Sequence, residues 1–227
     1  NGLRFPMTLQ RFLLCCSIWV VLLASGCLFV KQKDAPPPPP TLLSPQPEIL
    51  MSENLVRSKA GDMIAFLPQG WFFVELEGKA PSEVFAIAVN PDYTLSAVFS
   101  TLRKTETSDS VVGREGIYAL ARMSFARHER KSAGNVKLVG KTTELKIGSR
   151  EFGSFEITGV FRPDSTGALP GVPLVYVTLK TKVSVFNSSI NNYYELALVP
   201  TTISGKPLPS EDEINKVFRS MLTTVQF

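Results

Sequence analysis

Thiols and imidazoles are almost missing from this chain. Of its 227 residues three are cysteine and one is histidine. Cys15, Cys16 and Cys27 all belong to the N-terminal apolar stretch, so residues 28–227 hold none. That part can form no internal disulfide, offers no thiol nucleophile and builds no cysteine-ligated metal site. His128 stands alone in Ser124-Phe-Ala-Arg-His-Glu-Arg-Lys131, which excludes HExxH hydrolases and histidine-pair zinc sites. A nucleophile elbow is also lacking. Charge of one sign is scarce as well. The formal net charge is +4, but Arg4 and Arg11 precede Cys27 and no acid does, leaving 22 basic against 20 acidic residues from there on. So balanced a surface argues against a nucleic-acid partner. With 44% hydrophobic and 19% charged residues the bulk of the chain is globular rather than disordered.

What is present begins with Phe12–Val30, nineteen residues without a charge. Arg11 precedes it, and Met7 is the expected start. Ala24-Ser-Gly-Cys27 interrupts it with small residues and a cysteine. A positive flank, an apolar run and a small-residue cleavage site are the parts of a secretory signal. Ala24–Cys27 resembles the lipobox of bacterial lipoproteins, although leucine is the commoner residue where Ala24 stands. That resemblance implies cleavage before Cys27, acylation of its sulfur and an envelope location. Leu28, where many inner-membrane lipoproteins carry aspartate, implies the outer membrane if there is one, facing the periplasm. The alternative is an uncleaved anchor, since about 20 apolar residues span a bilayer. Pro36–Pro40, followed by Ser44-Pro-Gln-Pro47, favours extended polyproline II and reads as a semi-rigid stalk. A proline-rich ligand for an SH3-like module is its other reading. The expected organisation is thus a signal peptide over 1–26, a lipidated cysteine and tether over 27–59, and a folded domain over 60–227.

Within the domain, period-2 and continuous apolar runs predict strands at Asp62–Leu67, Trp71–Leu76, Val84–Val89 and Leu95–Ser100. In the third, Phe85, Ile87 and Val89 share one face and Val84, Ala86 and Ala88 the other, so both faces are covered. Ser108-Asp-Ser110 offers caps for a helix reaching Lys131, with Ile117, Leu120, Ala121, Ser124 and Phe125 on one side. Strands resume at Val136–Val139, Thr143–Ile147, Phe152–Phe161, Leu174–Phe186 and Tyr193–Val199. Ser210-Glu-Asp-Glu213 is a capping box opening a helix with Ile214, Val217, Phe218 and Met221 at i, i+3, i+4 and i+7. Val225–Phe227 is expected as a short edge strand. The sum is α+β: an antiparallel sheet flanked by helices.

Phe66-Leu-Pro-Gln-Gly-Trp71, opening such an order of strands, long helix, strands and capped helix, resembles the Mog1/PsbP-like domains, an α/β/α sandwich. The proline and glycine turn the chain so that Trp71 enters the core. That group includes extrinsic photosystem II proteins, a Ran-binding import factor and bacterial envelope lipoproteins. The resemblance implies a domain that binds proteins and is not an enzyme, with no cofactor and no shared catalytic set.

The residues suggest few sites beyond Cys27. Arg127, His128, Arg130 and Lys131 gather at a helix end as a partner or anion patch, or as a solvated face. The long loop 162–173, with Arg162 and Asp164, is the other expected partner contact, because loops of that length are uncommon unless functional or disordered. Glu211, Asp212 and Glu213 read as dipole-stabilising acids rather than catalytic carboxylates. Glu75 and Glu77 read as a solvated strand face rather than a calcium site, and Trp71, Phe72 and Phe73 as core rather than a ligand pocket. The expected function is a membrane-anchored envelope lipoprotein whose non-catalytic domain binds another envelope protein. The alternative is a carrier of lipid or another small ligand, with a pocket between sheet and helix.

Overall fold

The computed structural model describes residues 38–76, 78, 80–161 and 177–227. The signal stretch, Cys27, Glu77 and loop 162–173 with Arg162 and Asp164 therefore lie outside the described residues. The elements are β1 (Thr41–Leu42), β2 (Met51–Arg57), β3 (Ile64–Pro68), β4 (Phe72–Phe73), β5 (Val84–Val89), β6 (Leu95–Thr101), α1 (Glu106–Glu115), α2 (Ile117–Lys131), β7 (Val136–Ile147), β8 (Arg150–Phe161), β9 (Val177–Asn187), β10 (Tyr193–Pro200) and α3 (Glu211–Thr224). Eight strands form one sheet in the order β1-β7-β8-β9-β10-β6-β5-β4, and β2 and β3 form a separate hairpin. Every neighbouring pair is antiparallel except β1 with β7. The α+β architecture expected from the sequence is the one present.

Strand alternation sorts the core into two layers. Tyr194, Leu196 and Leu198 of β10 join Phe99, Phe152 and Phe186 on one face, beneath Met63 and Leu67 of the hairpin region and Phe218, Met221 and Leu222 of α3. Tyr193 and Ala197 join Phe155, Ile157, Val183 and Val185 on the other, beneath Leu120 and Ala121 of α2. Helix α2 lies close against the sheet at Gly153. A Cβ there would lie 3.0 Å from the Ile117 carbonyl oxygen and 3.1 Å from both Ala121 Cβ and Val185 Cγ2.

Several local expectations need correction. Strand pairing occurs before Ala60 among the described residues. Met51–Arg57 pairs with Ile64–Pro68, and Thr41–Leu42 pairs with Leu145–Lys146 at the β7 edge, so part of the expected tether is sheet. The middle helix is two helices. Gly116, at φ +63° and ψ −150°, closes α1 and opens α2, a conformation that glycine adopts without a Cβ clash. Its cap also lies earlier: Thr105 Oγ1 accepts from Ser108 N–H, and Ser108 Oγ accepts from Thr105 N–H. Conversely Val136–Ile147 is one strand, irregular between Val139 and Thr143. The Trp71–Leu76 run shrinks to Phe72–Phe73, and the C-terminal strand reduces to a bridge between Ile64 and Gln226.

Candidate functional site

Ser124, Arg127 and His128 lie at i, i+3 and i+4 on α2 and therefore share a face. That face looks at β10, where Glu195 stands between Tyr193 and Ala197 on the same side of the strand. Glu195 is 2% exposed, yet its carboxylate has four donors around it. Oε1 lies 2.6 Å from Arg127 Nη2 and 3.1 Å from His128 Nε2, and accepts from Ser100 Oγ at 3.5 Å. Oε2 accepts from Ser124 Oγ. Arg127 also donates to the Thr101 carbonyl at 3.2 Å and to Ser100 Oγ at 3.0 Å. Burial pushes the Glu195 carboxyl up, but the His128 hydrogen bond, the His128 and Arg127 charges and the Ser124 hydroxyl outweigh it, holding the group below the usual glutamate range.

The chemistry of this cluster is that of a clamp. Ser124 donates to the carboxylate rather than to the imidazole, so the histidine is not placed to take its proton. The carboxylate's acceptor sites are filled by protein donors. What the arrangement does is tie the end of α2 to strands β6 and β10.

The predicted helix-end patch is therefore divided. Arg127 and His128 turn inward, with side chains 17% and 22% exposed. Arg130 stays exposed and donates to the Ala126 carbonyl one turn back, and Lys131 lies 3.8 Å from Glu83. Only the latter two present a cationic surface. Glu195 escaped the sequence reading, although a lone acid in Tyr193-Tyr-Glu-Leu-Ala-Leu-Val199 was the available signal: an acid in a buried strand needs partners.

A second acid, half-buried, acts in the same way. Asp62 accepts from Ser58 Oγ and Tyr194 Oη at one oxygen and from Ser188 Oγ and Asn192 Nδ2 at the other. Burial raises its pKa, and the four hydrogen bonds more than reverse this, holding it far below the usual aspartate range. It pins the β2–β3 turn to the β9–β10 turn. Among the described residues no group of three or more His, Cys, Asp or Glu is placed to hold a metal, and no helix is long and apolar enough to cross a membrane.

The most exposed aromatic surface lies at the sheet edge. Pro68-Gln-Gly-Trp71 makes a tight turn, with the Trp71 N–H on the Pro68 carbonyl and Gly70 at φ +82°. It delivers Trp71 to the core at 5% exposure but leaves Phe72, Phe73 and Val74 outside, at 38, 45 and 40%. Trp71 is core as expected; Phe72 and Phe73 are not. Tyr93, from the β5–β6 turn, stands edge-on to Phe72 at 5.5 Å. Strand β4 is the last of the sheet and pairs only with β5 among the described residues.

The chain is similar to a cyanobacterial PsbP. The solution structure of that protein, CyanoP from Synechocystis, is 15% identical, with a TM-score of 0.44 over 76% of this chain and 91% of that one. A crystal structure from Bacteroides thetaiotaomicron is 14% identical, with a TM-score of 0.40 over 76% of this chain and 47% of that one. No family model and no curated protein matches the sequence.

Proposed function

We propose that this protein is a lipid-anchored envelope lipoprotein whose domain binds another envelope protein and carries out no chemistry. The observation that carries the binding role is the β4 edge. Four large apolar side chains, Phe72, Phe73, Val74 and Tyr93, are each more than a third exposed on one short edge strand and its neighbouring turn. Phe72 and Phe73 follow one another on the strand and so face opposite sides of the edge; exposed apolar side chains along an edge are typical of protein contacts, and an edge strand offers backbone groups for strand addition. The clamps at Glu195 and Asp62 support the non-catalytic reading, because both carboxylates are consumed by hydrogen bonds within the fold. The anchoring reading rests on Ala24–Cys27.

A photo-crosslinking residue placed at Phe73 in cells tests the docking edge. One adduct of defined mass is expected, absent when the same residue replaces Lys137 on β7 and lost in Tyr93→Glu. Equal labelling from both positions would contradict the assignment. Cys27→Ala tests the anchor: an unprocessed precursor without acyl groups is expected, and unchanged processing with lipid label would overturn it.

A further inference from the structure

A hollow of about 260 Å³ lies between the first turns of α3 and the end of the sheet where β4 begins. Trp71, one residue before Phe72, and Leu95 at the start of β6 are its buried apolar residues, and Ile49, Pro209 and Val217 are its half-buried ones. Small-molecule sites run to about 300–1,000 Å³, so this hollow suits a single side chain, as anchor pockets in protein interfaces do. Leu50 follows Ile49 and is 76% exposed. Its carbonyl accepts the Gln69 N–H at 3.0 Å, which sets a further bare apolar residue beside the turn that delivers Trp71.

Three polar residues complete the lining: Asn90, Glu213 and Lys216. Asn90 is spent, its oxygen accepting from the Thr94 and Leu95 N–H groups and its amide donating to Thr94 Oγ1. Lys216 pairs with Asp212 at 2.8 Å, and the neighbouring Glu211 pairs with Lys180 at 3.2 Å. Glu213 differs. Its Oε2 accepts from both the N–H and the hydroxyl of Ser210 at 2.8 Å. Oε1 accepts nothing and the carboxylate has no ion pair among the described residues, and Glu213 is exposed. The α3 dipole offsets about half a charge there, so three acids against two lysines leave the mouth of the hollow negative.

We propose that this hollow receives one large apolar side chain of the partner protein, carried beside a lysine or arginine whose head meets Glu213 Oε1. The inference rests on the docking role of the β4 edge, which Trp71 joins to the hollow, and it names the chemistry of the segment that docks. The apolar anchor supplies affinity, and the open carboxylate selects a basic neighbour over an acidic one.

Glu213→Gln is the variant that isolates the charge, because glutamine serves a capping box as glutamate does and the fold keeps its cap. The full chain is titrated with the peptide Ac-Gly-Phe-Lys-Gly-NH2, followed by amide NMR, beside one analogue with Glu for Lys and one with Gly for Phe. Saturable shifts confined to residues 49–50, 71–73, 90–95 and 209–217 are expected, strongest for the Phe-Lys peptide. Glu213→Gln should weaken its binding about two- to fivefold, the scale of an exposed ion pair, with a melting temperature near that of the parent. Val217→Phe, which fills the hollow from α3, should weaken it about tenfold or more. The assignment is overturned if the Phe-Lys peptide does not saturate these residues, if either analogue binds as tightly, or if Glu213→Gln binds as the parent does. Shifts at the same residues that follow protein concentration without peptide would give the hollow to a second copy of the chain and overturn it too. An adduct from Phe73 without peptide binding removes this assignment and leaves the β4 edge; peptide binding without an adduct removes the edge and leaves the hollow.

Discussion

Replacing Glu195 with glutamine removes one charge from the clamp and little volume. Arg127 then sits 17% exposed without its counter-charge, keeping the Thr101 carbonyl and Ser100 hydroxyl as acceptors. Removing one partner of a buried ion pair costs about 3–5 kcal/mol. The surviving acceptors and the glutamine oxygen place this case at the lower end, about 3 kcal/mol. At ordinary urea dependences that lowers the unfolding midpoint by about 1–3 M at pH 7. The sign with pH follows from the direction of the shift. Glu195 titrates below its ordinary value of 4.5 in the folded state, so its contribution is complete above that value and is lost as pH falls through the folded pKa. The gap between parent and variant should therefore be constant from pH 7 to about 5 and close below. A double variant, Glu195→Gln with Arg127→Met, should lose less than the two single changes together. A loss under about 1 kcal/mol for Glu195→Gln at pH 7, or a gap that does not narrow in acid, would refute the clamp.

Three further outcomes follow from other contacts. Asp62→Ala strands the Tyr194, Ser58 and Ser188 hydroxyls, on residues 4% exposed or less, and should cost about 2–4 kcal/mol by urea unfolding; because Asp62 titrates below its ordinary 3.8, this cost should fade as pH falls below that value. Gly153→Ala forces a methyl into contacts of 3.0–3.1 Å with α2 and Val185; about 1–3 kcal/mol of destabilisation is expected from overpacking, where an open site would show a slight gain. Ser210→Ala removes the oxygen that accepts the Glu213 N–H and should cost about 1 kcal/mol, seen as earlier thermal loss of α3 signals.

Features carried by neighbouring residues were legible in the chain. Strand β5 has the bounds its apolar run predicts, and α3 begins at the Ser210–Glu213 box and buries Phe218 and Met221 as its spacing requires. The break at Gly116 was harder to read. A glycine inside a helical pattern is usually tolerated, and only the positive φ chosen there makes it a boundary. Strands β1 and β2 lacked a local signal strong enough against the prolines before them: Met51-Ser-Glu-Asn-Leu-Val-Arg57 carries little apolar alternation, and its pairing with β3 makes it a strand.

Residue counts and local periodicity alone determined that residues 28–227 have no thiol chemistry, that an apolar run ends in small residues and Cys27, and that sheet and helix alternate in an α+β order. Those properties depend on residue identity or on contacts within a turn or two. Which way Arg127 and His128 face was decided by tertiary structure, because their carboxylate lies 68 and 67 positions away and its approach depends on how β10 pairs and how α2 packs. The same holds for the bare aromatic edge at β4 and the hollow beside Trp71: each is a place where distant segments either meet or leave a gap, and no local pattern records a gap.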